Sequence, residues 1–101
     1  MRTLLFFDLP TITSTDKKNY RKFKKVLTKN GFMMLQESVY SKLSLSIQNA
    51  DTTLKEIKQK LPSNGNIMIL TVTEKQFSNM QILLGEMKTD VINTDERIIS
   101  I

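Results

Sequence analysis

A chain of 101 residues with neither cysteine nor histidine is one domain, and its composition excludes disulfides, thiolate zinc sites and imidazole acid–base chemistry. Its formal charge of +5 is unevenly placed. Residues 16–30 hold seven of the fifteen Lys/Arg and one acid, Asp16, whereas the remaining eight cations and nine acids nearly cancel.

Catalysis is therefore left to carboxylates, hydroxyls, lysines, arginines or a hard metal ion. A basic block of this kind points to a surface that meets a polyanion. No apolar run approaches the length of about twenty residues that spans a bilayer, and no signal-peptide pattern is present. A soluble, cytoplasmic protein without membrane contact is expected.

The first stretch, Arg2-Thr3-Leu4-Leu5-Phe6-Phe7-Asp8-Leu9-Pro10, reads as a buried strand closed by Pro10. Leu5, Phe7 and Leu9 share one face; Leu4, Phe6 and Asp8 share the other. A lone carboxylate at the end of an oily strand calls for a donor, a partner or a metal. The plainer alternative is that Asp8 only marks the strand end and caps the next turn.

Thr13-x-x-Asp16 has the spacing of a capping box, with Asp in place of the usual Glu. It opens a helix over residues 14–30 that Gly31 stops. Tyr20, Phe23 and Leu27 form its apolar stripe, with Val26 at the edge. Lys18, Lys22, Lys25 and Lys29 form the opposite stripe, and Lys17, Arg21 and Lys24 fill the flank. Like charges four residues apart repel, so so lopsided a face suits nucleic acid better than plain solvation. An interfacial membrane helix fits poorly, because the narrow apolar stripe is needed for the protein's own core.

Residues 31–45 read as two extended segments with a turn or bulge at Gln36-Glu37-Ser38, and Phe32 and Tyr40 as core. Over residues 46–61, Ile47, Ala50, Leu54, Ile57 and Leu61 repeat at steps of three and four, a one-faced helix closed by Pro62 and Gly65. Residues 66–73 form a strand and Thr73-Glu74-Lys75-Gln76-Phe77 a turn. Met80-Gln81-Ile82-Leu83-Leu84 reads as a fifth strand, residues 86–95 as loop, and Arg97-Ile98-Ile99-Ser100-Ile101 as a sixth, terminal strand. Residues 1–85 thus make the domain and 86–101 its tail.

Strand, helix, strand, strand, helix, strand is the ferredoxin-like βαββαβ arrangement, an α+β fold with two helices on one face of an antiparallel sheet and extra strands after it. Helices on one face leave the other uncovered, yet the first and fourth strands are apolar on both sides, and the fourth lies at an edge. A two-fold homodimer packed sheet to sheet, with the fifth strand extending the partner's edge, removes both difficulties. It also brings two copies of Asp8 toward one axis. Two carboxylates there suffice for magnesium, or another divalent cation, which takes oxygen ligands and acts on phosphodiesters. The other acids fall on helix faces or loops. Three scattered glycines make no phosphate loop, and the second motif of an RNA-recognition domain is absent.

The chain resembles the CRISPR-associated protein 2 family. The resemblance rests on the first strand ending in Asp8-x-Pro10, the basic helix from Asp16, Gln36-x-Ser38-Val39-Tyr40-Ser41-Lys42-Leu43, Gly65-Asn66-Ile67 and Thr71-Val72-Thr73-Glu74-Lys75-Gln76-Phe77. The later segments are similar to the type II-A branch. The resemblance implies a ferredoxin-like homodimer of CRISPR adaptation (spacer acquisition) that binds double-stranded DNA and bridges dimers of the CRISPR-associated integrase. It also implies a metal-dependent endonuclease role, on RNA or DNA, with Asp8 as metal ligand and catalytic residue. Many members carry Tyr before this acid where this chain has Phe7, which weights scaffolding above hydrolysis. The tail is the segment suited to dock the integrase by strand addition. The alternative is a ribonuclease toxin-like endoribonuclease on the same fold, since such proteins share strand order and basic faces.

Overall fold

The computed structural model describes residues 1–86. The elements run β1 (Arg2–Asp8), α1 (Ser14–Lys29), β2 (Met33–Gln36), β3 (Val39–Leu43), α2 (Ile47–Lys58), β4 (Asn66–Val72) and α3 (Glu74–Ser78). The sheet has the order β2-β3-β1-β4, antiparallel throughout. This is the expected ferredoxin-like order, with β1 central and β4 at an edge.

Local chemistry sets the boundaries. At the start of α1 the Asp16 backbone N–H donates to Thr13 Oγ1 at 3.0 Å, and the Thr13 N–H donates to Asp16 Oδ2 at 3.1 Å. Each satisfies a backbone donor that a helix start leaves free. At the far end Asn30 is the cap and Gly31 follows at φ +88°, the left-handed conformation that lets a helix turn off without a Cβ penalty. Between β2 and β3 the ladder slips at Gln36, which opposes Val39, and Ser38 sits at φ 66°. The expected turn and bulge coincide there.

The core lies between the sheet and the first two helices. Leu5, Phe7 and Leu9 of the first strand and its exit, Phe23 and Leu27 of α1, and Ile57 of α2 are buried together with Phe32 and Tyr40. Phe7 meets Tyr20, Phe23 and Tyr40 at ring-centroid distances of 5.8, 5.6 and 5.7 Å. Edge-on contacts of this kind add to what burial alone supplies.

Three expectations differ. The helix expected over residues 46–61 is shorter, and its buried face is turned: Thr53 and Ile57 are buried, while Ile47 is 63% and Leu61 50% exposed. Ile47 is the first helical residue and Leu61 lies past the cap, so neither sits where the helix meets the sheet. Thr53 is satisfied inside by accepting from Lys42 Nζ at 2.8 Å and donating to the Asn49 carbonyl at 3.1 Å.

The expected turn at residues 73–77 is instead the helix α3, opened by a second capping box in which Thr73 and Gln76 bond reciprocally. Nor is the second sheet face free of helix. Phe77 packs there with Leu4 and Leu35, joined by Phe6, Val39, Val72 and Met80. Residues 80–84, expected as a fifth strand on a partner's edge, carry no strand pairing within the chain itself. After α3, Ile82 and Leu83 line a groove with Leu4 and Phe6 on this face; the edge that residues 80–84 are expected to extend belongs to a second copy. Among the described residues, then, no strand is added after β4. The expected terminal strand at residues 97–101, and the tail from residue 87 on, lie outside the described residues.

Candidate nucleic-acid interface

Helix α1 presents the basic block as one surface. Lys17, Lys18, Arg21, Lys22, Lys25 and Lys29 are all exposed, and Lys24 is half-buried with its ammonium 5.3 Å from the Tyr20 ring centroid. The stripe forms because Phe23 and Leu27 commit the opposite side of the helix to the core. Among the described residues the ion pair of the fold joins Arg2 to Glu74, and no acid neutralises the α1 cations. Asp16, the acid nearest in sequence, is engaged in capping.

A cleft of ≈ 580 Å³ opens beside this stripe, between α1 and the residues that follow α2. Lys22, Lys25 and Lys29 line it from α1, Lys60 from the other side, and Val26 and Leu61 supply apolar lining. The sequence reading missed Lys60. A cation near a helix end reads as ordinary complement to the helix dipole, and only the packing of the chain after α2 beside α1 brings it to this site.

Asp8 closes β1 directly opposite Asn66 of β4 and is exposed. It lies apart from the aromatic cluster, since neighbouring side chains on a strand point to opposite faces. Two backbone features hold the strand end. The Phe7 N–H donates to the Ser38 carbonyl at 3.0 Å, tying it to the β2–β3 turn. Gly65, at φ +109°, passes so close that a Cβ would lie 2.5 Å from Leu9 Cδ2 and 2.9 Å from the Asp8 carbonyl oxygen. Among the described residues the Asp8 carboxylate has no hydrogen-bond or ion-pair partner, and no three acids gather into a metal cage. In the core beside Phe7, burial pushes the Tyr40 phenol above its ordinary value, with Tyr20 and Glu37 adding repulsion toward its anion.

Asp8, at the end of β1, and the basic face of α1 are thus both exposed. No described helix is long and apolar enough to cross a membrane.

Comparison with known proteins places this geometry. The family described as "CRISPR associated protein Cas2" matches residues 1–80. The chain is 50% identical over 99 residues to the CRISPR-associated endoribonuclease Cas2 of Treponema denticola, covering 98% of each chain. It is 48% identical over 99 residues to the protein of that name from Streptococcus mutans, covering 98% of this chain and 91% of the relative. The crystal structure of Streptococcus pyogenes Cas2 at pH 6.5 superposes with a TM-score of 0.63 at 19% identity, over 82% of this chain and 99% of that one, a likeness of fold. With the family matched over most of its length and relatives this similar across nearly all of it, the chain belongs to the Cas2 family of CRISPR-associated proteins.

Proposed function

We propose that this protein serves CRISPR adaptation as a two-fold dimer that holds double-stranded DNA along its α1 surfaces and bridges dimers of the CRISPR-associated integrase. The observation that carries the reading is the set of six exposed α1 cations that no acid neutralises among the described residues. Contacts to phosphates position a duplex without reading its bases, which suits a protein that must accept any fragment. The dimer is supported by β4, whose Met68 and Leu70 remain 66% and 54% exposed on an edge strand, a surface that invites a second copy. The tail beyond residue 86 is the proposed integrase contact.

The test is to replace Lys18, Lys22 and Lys25 together by Gln. Duplex affinity falls at every sequence, and the slope of log affinity against log salt drops by about 0.9 for each phosphate contact removed. Unchanged affinity and slope would overturn the reading.

A second activity is proposed at Asp8: metal-dependent cleavage of RNA or DNA. It is supported by the free, exposed carboxylate and by the endoribonuclease name that the relatives carry. Magnesium fits such a residue, because it takes oxygen ligands, keeps several waters and binds through one or two carboxylates. When bound, it supplies a more acidic water and offsets charge on the phosphodiester. Asp8 is the residue that would hold it, steadied by the Gly65 approach and the Phe7–Ser38 hydrogen bond.

A further inference from the structure

We infer that Asn66 is a second oxygen ligand, through its side-chain Oδ1, for the divalent cation proposed at Asp8. The inference deepens the Asp8 reading and rests on it.

Asp8 and Asn66 are direct partners in the β1–β4 ladder. Residues paired in this way put their side chains on one face, with Cβ atoms about 4.5–5.5 Å apart. Each side chain carries its oxygen roughly 2.4 Å beyond Cβ, and magnesium binds oxygen at about 2.1 Å. One ion between the two is therefore within reach of both. On this face the ladder runs Arg2–Val72, Leu4–Leu70, Phe6–Met68 and Asp8–Asn66. Only its last row pairs two oxygen donors.

The ends of a ladder commonly fray, which would let such a pair splay. Here both flanks are fixed. Gly65 lies against Leu9 and the Asp8 carbonyl oxygen more closely than a residue with a Cβ could. On the other side the Phe7 N–H donates to the Ser38 carbonyl. Ligands held on fixed strand ends are what a cation site requires.

An asparagine that serves only a turn folds its carboxamide back onto nearby backbone. Among the described residues Asn66 makes no such bond, and it is exposed. Its oxygen and the Asp8 carboxylate both stay open to a ligand. A carboxamide also binds without adding charge, so the ion keeps more of its positive charge for a phosphodiester than a second carboxylate would leave it. Few protein ligands suit magnesium, which keeps several waters, better than calcium, which takes about six to eight oxygens.

The experiment uses the full chain with manganese chloride as the probe, because manganese takes the same carboxylate, carbonyl and water ligands. Free manganese is counted by electron paramagnetic resonance, with magnesium chloride as competitor. Asn66→Ala is expected to weaken manganese binding by about tenfold, the lower end of what losing a group around a metal costs. Asn66→Asp keeps an oxygen, adds a charge and is expected to tighten binding. Both variants should match the parent in urea unfolding, which separates ligation from folding. Asp8→Asn is measured beside them. If it loses manganese while Asn66→Ala binds as the parent does, the Asn66 inference is overturned and the Asp8 reading stands. If Asp8→Asn binds as the parent does, the Asp8 reading fails and takes this inference with it. Equal weakening in Asn66→Ala and Asn66→Asp would also overturn it, since an oxygen at that place would then be of no account.

Discussion

Arg2 and Glu74, seventy-two positions apart, meet in a two-pronged ion pair: Arg2 Nε donates to Glu74 Oε2 at 3.0 Å and Nη2 to Oε1 at 2.8 Å. The same guanidinium lies 4.3 Å from the centroid of the Phe77 ring. The first residue of β1 is thereby locked to both ends of α3. Arg2 is buried and Glu74 about half exposed, so solvent screens the pair and its worth is below that of a fully buried one. Arg2→Ala should cost about 2 kcal/mol, since stacking is lost with the pair, and Glu74→Ala about 1 kcal/mol. Urea unfolding checks both. Equal costs would mean that the ring contact contributes nothing.

Gly65→Ala tests the close approach behind Asp8. A methyl there meets Leu9 Cδ2 and the Asp8 carbonyl at non-bonded distances too short to keep, on a backbone at φ +109°. A cost of about 2–4 kcal/mol is expected from conformation and overlap together. Amide exchange should quicken first at the Asp8–Asn66 end of the β1–β4 ladder. An undisturbed ladder would show that this loop accommodates a side chain.

Asp8→Asn should separate stability from chemistry. The carboxylate is exposed and makes no bond within the described residues, so stability should move by no more than about 0.5 kcal/mol. The magnesium-dependent cleavage proposed for Asp8 should be absent from the variant. Equal cleavage by parent and variant would trace the activity to a contaminant.

Alkaline pH should find Tyr40. Its phenol titrates higher in the folded protein than in the unfolded chain, chiefly through burial. The folded state then retains a proton that the unfolded state releases, so stability is intact below the ordinary tyrosine value of about 10 and falls as pH rises through it. Tyr40→Phe should flatten that fall relative to the parent, which removes the lysine titrations common to both. Parallel curves would rule Tyr40 out.

Much of this was legible in the chain itself, and the exceptions have physical causes. β1, α1 with its capping box, and the turn at Ser38 are set by neighbours in sequence, so periodicity and turn chemistry revealed them. α3 escaped because five residues are too few to show a helical period, although Thr73-x-x-Gln76 repeats the signature read correctly at Thr13-x-x-Asp16. Residues 80–84 form no ladder within the chain, because an apolar run does not say whether it pairs with its own sheet or with another molecule's. The α1 cations were visible as composition. Lys60, and the neighbours that hold Asp8, depend on which segments the topology brings together.

Leu4 and Leu70 face each other across the β1–β4 ladder, yet one is 8% exposed and the other 54%. The chain's own Phe77 shelters the first and leaves the second bare. Their tolerance of change should therefore part company. A polar residue at position 4 would be felt by every solitary molecule, whereas one at position 70 would harm only what another surface has come to require. Two facing leucines thus separate what folding demands from what the proposed second copy would demand.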